Sequence, residues 1–176
     1  MMTSSERIGD VVLDVQDLRT YFVTRWGVVK AVDGVDFQLR KGETLGIVGE
    51  SGSGKSVTAL SIMRLVPSPP GHIVGGKVLL EGQDILELPD GEMETVRGSR
   101  IGMVLQDPMT ALNPVFDIED QVGEALSIHK DMSGETLQTE VVDMLRKVRI
   151  PAPEIRMRDY PHQLSGGMRQ RVVGAI

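Results

Sequence analysis

The sequence predicts an α/β protein in which an antiparallel β region runs into a parallel-sheet core and is followed by a helical segment. Three observations predict it. The stretch before Lys41 is made of short β-rich runs separated by turn residues. A glycine-rich loop, Gly49-Glu50-Ser51-Gly52-Ser53-Gly54-Lys55-Ser56, lies between an apolar run, Thr44 to Val48, and a helix-compatible stretch, Val57 to Val66. Apolar residues then recur at helical spacing from Ile118 to Lys130 and from Gly134 to Val148.

The β region is predicted as short strands at Val11 to Val15, Tyr21 to Thr24, Val28 to Val32 and Val35 to Leu39, with turns at Trp26-Gly27 and Asp33-Gly34. It leads without a break into the Thr44 to Val48 strand, so these residues form one layered unit. The loop that follows has the G-x-x-x-x-G-K-S pattern of a phosphate site. Gly49, Gly52 and Gly54 allow backbone angles that turn successive amide N–H groups inward onto phosphate oxygens. The positive end of the next helix adds to that field. Lys55 supplies a charge for the β- and γ-phosphates, and the Ser56 hydroxyl is placed to ligate a bridging magnesium ion.

After the loop helix, Pro67-Ser68-Pro69-Pro70-Gly71 breaks regular structure, and Gly75-Gly76 precedes a strand from Lys77 to Glu81. Asp90 to Arg97 is a short polar helix. Ile101 to Leu105 is a continuous apolar run suited to a sheet buried on both faces, and it ends at Gln106. In the two later helices Ile118, Val122, Ala125 and Leu126, then Leu137, Val141, Met144, Leu145 and Val148, form the core faces. Pro151 and Pro153 punctuate the next join. Ser165 stands at the N-cap of a helix that begins at Gly166, with Arg169 and Arg171 near its start.

Composition narrows the function. The chain has 176 residues, enough for one domain with a substantial core. No apolar run approaches the about 20 residues of a membrane-spanning helix, and Met1 to Arg7 is polar, unlike a secretory signal, which places the chain in the cytosol. Zero cysteines exclude disulfides, thiolate metal sites and cysteine nucleophiles. A net charge of −6 without a long basic run, and an aromatic content of 3%, argue against a nucleic-acid partner. His72, His129 and His162 have no partners at ligand spacing and are read as solvated or structural.

Downstream of the phosphate loop, Leu164-Ser165-Gly166-Gly167-Met168-Arg169-Gln170-Arg171 resembles the signature motif of ABC-transporter ATPases. Gln106-Asp107-Pro108-Met109-Thr110-Ala111-Leu112-Asn113-Pro114 is similar to the Q-loop segment of the oligopeptide and dipeptide permease branch, as are Tyr160-Pro161-His162-Gln163 and Met168. The resemblance spans nearly the whole chain; nickel-importing relatives share much of the wording. It implies a P-loop NTPase fold of ABC type: an antiparallel β subdomain, a RecA-like parallel core and a helical subdomain. About 1–105 would hold the β subdomain and loop core, about 106–164 the Q-loop and helical subdomain, and 164–176 the signature and the start of its helix.

The resemblance also implies ATP and Mg2+ as cofactors and a set of site residues. Gly49, Glu50, Ser51, Gly52, Ser53, Gly54, Lys55, Ser56 and Val57 would hold the phosphates. Where many relatives have a threonine or serine that contacts the α-phosphate, Val57 offers only its backbone amide. Phe22 would stack on adenine, with Tyr21 as the alternative. Because strand side chains alternate, only one of the two points at the base. Gln106 would reach magnesium and the attacking water, and with Lys55 forms the catalytic pair. Ser165, Gly166 and Gly167 would close over the γ-phosphate of ATP held by a second ATPase subunit, identical or different. The helical subdomain would grip membrane permease subunits fed by an extracytoplasmic solute-binding protein, so the expected location is peripheral, on the cytoplasmic face of the membrane.

The function so implied is ATP binding that energises import of di- or oligopeptides; a nickel or other solute importer, and a non-catalytic nucleotide-binding remnant, are the alternatives. A soluble ABC protein of translation or DNA repair is disfavoured by the helical-subdomain pattern. In this family the Walker B aspartate, the catalytic glutamate and the switch histidine follow the signature, and the sequence reads as breaking off inside the signature helix, before them. Val11-Val12-Leu13-Asp14 and Val78-Leu79-Leu80-Glu81 are no substitutes, since neither is followed by a second acid and both precede the signature. The central sheet is accordingly expected to be incomplete, with apolar edges at Thr44 to Val48 and Ile101 to Leu105. A chain with only these residues is expected to show no appreciable ATPase turnover in a steady-state phosphate-release assay; turnover that is robust and abolished by Lys55→Ala would contradict this.

Overall fold

The computed structural model describes residues 11–104 and 111–176. They fall into two compact units, one reaching Met93 and one comprising Glu94–Ile176. In the first, β1 (Val11–Thr24) and β2 (Gly27–Arg40) form a long antiparallel hairpin turned at Arg25 and Trp26. The four short strands suggested by the turn residues are therefore two long ones. Asp33-Gly34 is a bulge and not a turn: Leu18 pairs with Val35 and Arg19 with Asp33, leaving Gly34 as the additional residue, at φ 78. Glycine at that angle lets the strand bend and continue.

β3 (Gly71–Leu80) pairs antiparallel with the other edge of β1, and β4 (Gln83–Asp84) pairs with β3, giving the order β2-β1-β3-β4. β3 begins at Gly71, well ahead of the expected Lys77, because the Gly71 to Gly76 segment takes part in the ladder, with Gly71 opposite Phe22 and Gly75 opposite Arg19. Val15, Leu18, Val78 and Ile85 are fully buried in this unit. Asp14 lies within β1, and Glu81 follows β3 at φ 50, so both rejected carboxylates belong to the antiparallel region.

α1 (Lys55–Ile62) is shorter than the apolar pattern allows. Arg64 takes a left-handed conformation (φ 51), its N–H donates to Ser61 O, and Leu65 N–H donates to Leu60 O. This paired closure normally uses glycine, so the sequence carries no sign of it. The predicted strand Thr44 to Val48 does not form. These residues have no ladder partner among the described residues, and Leu45, Ile47 and Val48 are exposed. A buried parallel strand is held by neighbours on both sides, and without them its apolar composition does not make it a strand.

In the second unit, Gly98 (φ 83) ends α2 (Asp90–Ser99), and its N–H donates to Ile101 O at 2.9 Å. Ile101 makes one isolated bridge, to Arg97, and Gly102 to Val104 have no regular structure, so the apolar run expected there as a strand is not one for the same reason. α3 (Ile118–Lys130) and α4 (Gly134–Lys147) match their expected spans closely. Asp117 caps α3 by accepting from Asp120 N–H at 2.8 Å. Ile118, Val122, Leu126, Val141 and Leu145 are buried with Leu112, Ile150, Met157, Leu164 and Val172 in one core, joined by α5 (Pro153–Arg156), a 3-10 turn (Pro161–Gln163) and α6 (Gly166–Val173).

On the face of β1 opposite Thr20, Tyr21 donates to Asp33 Oδ1 at 2.6 Å and Lys30 Nζ lies 3.2 Å from Asp33 Oδ2. The Tyr21 hydrogen bond, then the Lys30 ammonium, hold the Asp33 carboxyl below the usual aspartate range. A depressed folded-state pKa contributes stability above the unfolded value that is lost as the pH falls through the folded one. Carboxyl-carbon NMR titration is expected to show Asp33 titrating lower than an unpaired aspartate, and Tyr21→Phe is expected to move it upward.

Candidate functional site

The phosphate loop leads into α1 and packs against β2. Gly52 (φ 82) and Gly54 (φ 89) both occupy the left-handed region that the sequence pattern demands. At Gly54 a second requirement operates: a Cβ there would stand 2.2 Å from Ala31 O of β2, so the loop is pressed against the strand. At Gly49 a Cβ would stand 2.6 Å from Ser53 Oγ, a contact that rotation of the serine side chain relieves, so the requirement for glycine is weaker there than at Gly54. Ser53 N–H donates back to Glu50 O at 3.2 Å, closing the turn between them.

Lys55 turns its ammonium into the loop. Nζ donates to Gly49 O at 2.8 Å, Glu50 O at 2.7 Å and Ser53 Oγ at 3.1 Å, which uses its three hydrogens and centres the charge. Gly54 is the N-cap of α1 and has no side chain with which to cap it. The first helical N–H to reach an intrahelical carbonyl is that of Thr58, bonded to Gly54 O at 2.8 Å, so the amides of Lys55, Ser56 and Val57 are the donors of the helix N-terminus. Ser51, Gly52, Ser53 and Ser56 are exposed. A centred cation, uncapped amides at the positive end of a helix and an accessible hydroxyl fit a polyphosphate with its divalent cation.

Thr20 and Phe22 share one face of β1, and Arg19 and Tyr21 share the other. Thr20 bonds Ser61 of α1, while the Phe22 ring edge lies against Gly71, where a Cβ would be 2.9 Å from Phe22 Cε1 and 2.5 Å from Val66 Cγ1. Tyr21 is committed to Asp33 on the far face. Of the two aromatics it is thus Phe22 that lies on the α1 side of the sheet.

Ser165 is the N-cap of α6, as its position before Gly166 suggests, and its Oγ accepts from Met168 N–H at 3.3 Å. Gly166 and Gly167 have nothing within 4 Å of a notional Cβ, so packing inside the chain does not call for glycine at either. Arg171, to which sequence reasoning gave no role, holds this turn in place: Nη1 donates to Arg149 O at 2.6 Å beyond the end of α4, and Nε to Gly167 O at 3.1 Å. Gln106 lies outside the described residues.

All three histidines are exposed. The His129 ring fills the space over Gly98, where a Cβ would stand 2.4 Å from Nε2. His162 stacks on Tyr160 with centroids 5.8 Å apart, and His72 Nδ1 lies 3.4 Å from Ser68 Oγ. Among the described residues no group of three or more His, Cys, Asp or Glu side chains could hold a metal ion, and no helix is long and apolar enough to cross a membrane.

A lysine centred in a glycine loop at a helix N-terminus defines the phosphate-loop class of α/β proteins. Within that class the chain belongs to the ABC transporter family, whose model matches residues 32–175. It is 52% identical over 164 residues to the oligopeptide transport ATP-binding protein OppD of Bacillus subtilis (strain 168), covering 93% of this chain and 46% of that protein. It is 53% identical over 165 residues to the dipeptide transport ATP-binding protein DppD of the same organism, covering 94% and 49%. The chain therefore spans about half the length of these relatives. The fold is similar to the dimeric structure of MJ0796, a bacterial ABC transporter cassette, with a TM-score of 0.80 at 27% identity, covering 93% of this chain and 67% of that one. A second structure of MJ0796, a dimeric post-hydrolysis state bound to ADP and Pi, matches equally well.

Gly54→Ala places a Cβ against Ala31 O at a left-handed angle. Thermal or urea unfolding is expected to show a loss of at least about 1–3 kcal/mol, and a change within a few tenths would show that the loop is not pressed on β2.

Proposed function

We propose that this chain is the nucleotide-holding part of an ATPase subunit that energises uptake of di- or oligopeptides. The observation that carries the reading is the Lys55 ammonium, centred by Gly49 O, Glu50 O and Ser53 Oγ at the N-terminus of α1. ATP is the ligand. The amides around Gly52 to Val57 orient the phosphate chain, Lys55 exchanges loop acceptors for oxygens of the β- and γ-phosphates, and the Ser56 hydroxyl would be one ligand of the cation. Mg2+, when bound, neutralises phosphate charge during phosphoryl transfer. Phe22, on the α1 side of the sheet, supplies the surface for adenine, and Gln106 is the remaining cation and water contact.

The Ser165-Gly166-Gly167 turn serves a second ATPase subunit. Support comes from the two glycines, which the chain's own packing does not require, and from Arg171, which pins the turn from behind. The MJ0796 cassette is itself described as dimeric. Transport of peptides is supported by the OppD and DppD relatives. The helical unit then faces membrane permease subunits, and a solute-binding protein delivers cargo on the other side of the membrane, which puts this chain at the cytoplasmic face.

Calorimetric titration of Mg-ATP is expected to give saturable binding that Lys55→Ala weakens by at least about tenfold, since charge-assisted hydrogen bonds to phosphate are lost. In cells carrying the same substitution in the complete gene, uptake of a labelled oligopeptide is expected to fall to background while nickel uptake is unchanged. Binding that ignores Lys55, or loss of nickel uptake instead, would overturn the ligand or the cargo part of the reading, respectively.

A further inference from the structure

Two hydroxyls occupy the contact between β1 and α1, where an apolar pair would pack. Thr20 and Ser61 are both 0% exposed, and their Oγ atoms are 2.7 Å apart. Ser61 Oγ donates to Val57 O at 2.6 Å, which commits its only hydrogen, so Thr20 is the donor of the pair. The bonds run in one direction, from Thr20 on β1 through Ser61 to Val57 in the first turn of α1. Buried hydroxyls are costly unless bonded, and a hydrogen bond is directional where apolar contact is not. The pair therefore fixes the position of α1 along β1 more narrowly than side-chain packing would.

What lies at each end of this connection gives it a role. Val57 adjoins Ser56 and Lys55 of the phosphate loop. Phe22 is two residues along β1 from Thr20, on the same face. We infer that the Thr20–Ser61 pair is a positioning latch that sets the Phe22 ring at a fixed distance from the phosphate loop, so that base and triphosphate of one nucleotide are engaged together. The latch is a determinant of selectivity for nucleoside triphosphate over bare triphosphate. It rests on the proposed roles of Phe22 and the loop, and it adds two residues that touch neither base nor phosphate.

The test compares Mg-ATP with Mg-tripolyphosphate by calorimetry on the full chain. Thr20→Val with Ser61→Ala removes both hydroxyls at nearly constant shape and leaves no polar partner orphaned, so the melting transition is expected to stay close to wild type. The preference for ATP over tripolyphosphate is expected to fall about tenfold as stacking is lost, with tripolyphosphate affinity held within about twofold. Thr20→Ser, which keeps the donor, is expected to retain the preference. Thr20→Val alone, which leaves Ser61 bonded to Val57, gives the same reading should the double variant fail to fold. An unchanged preference, or equal loss for both ligands, would overturn the latch. Phe22→Ala separates the two levels: if it leaves the preference unmoved, the adenine role of Phe22 fails and the latch with it, and if it abolishes the preference while the hydroxyl variants do not, the latch alone fails.

Discussion

The close approach of Gly54 to the Ala31 carbonyl is the constraint on which the nucleotide site depends. With 2.2 Å between that oxygen and the place of a Cβ, no other residue type brings the loop against β2. Once it is there, α1 starts at Lys55 without a side-chain cap, its amides before Thr58 have no acceptor within the helix, and the lysine ammonium is held among the loop's own acceptors. The field of the site thus comes from backbone geometry as much as from the one formal charge. Thr58 adds a second tie, donating through both N–H and Oγ1 to Gly54 O.

The helical unit solves a different problem. Its core is a set of i, i+4 faces on α3 and α4, closed by Leu164 and Val172 from either side of the signature turn. That turn presents Ser165 and two glycines whose surroundings are open, while Arg171 ties it to the end of α4 through the Arg149 carbonyl. A cation at the negative end of a helix is favourable there, and it also keeps the turn from drifting. Each unit therefore carries one glycine-rich helix start, rigid behind and open in front.

Much of this was legible in the residues. The phosphate loop, the capped start of α6 and the spans of α3 and α4 all follow from patterns in which local chemistry and tertiary contact agree. The misreadings have specific causes. Asp33-Gly34 has turn composition but sits as a bulge, because β1 supplies a partner for the residues on both sides. α1 and α4 both end with arginine in the left-handed position, Arg64 and Arg149, where glycine is the usual signal. Thr44 to Val48 and Ile101 to Val104 have the composition of buried strands, but a strand is a property of a pair, and composition does not say whether the pair is made.

By itself the sequence determined the class of site: the glycine spacing, the lysine and the helix that follows admit one arrangement, with Gly52 and Gly54 forced by backbone angle and Gly54 by contact as well. It also determined the family, through motifs whose order along the chain is as informative as their content. Only the tertiary structure decided which neighbouring aromatic lies on the α1 side, that Lys55 is centred by three oxygens of its own loop, that Thr20 and Ser61 join β1 to α1, and that Arg171 braces the signature turn. The Lys55 contacts lie within one loop and depend on how its backbone is folded; the others are contacts between residues distant in the chain or choices between faces of one strand, and no local pattern of residue types encodes them.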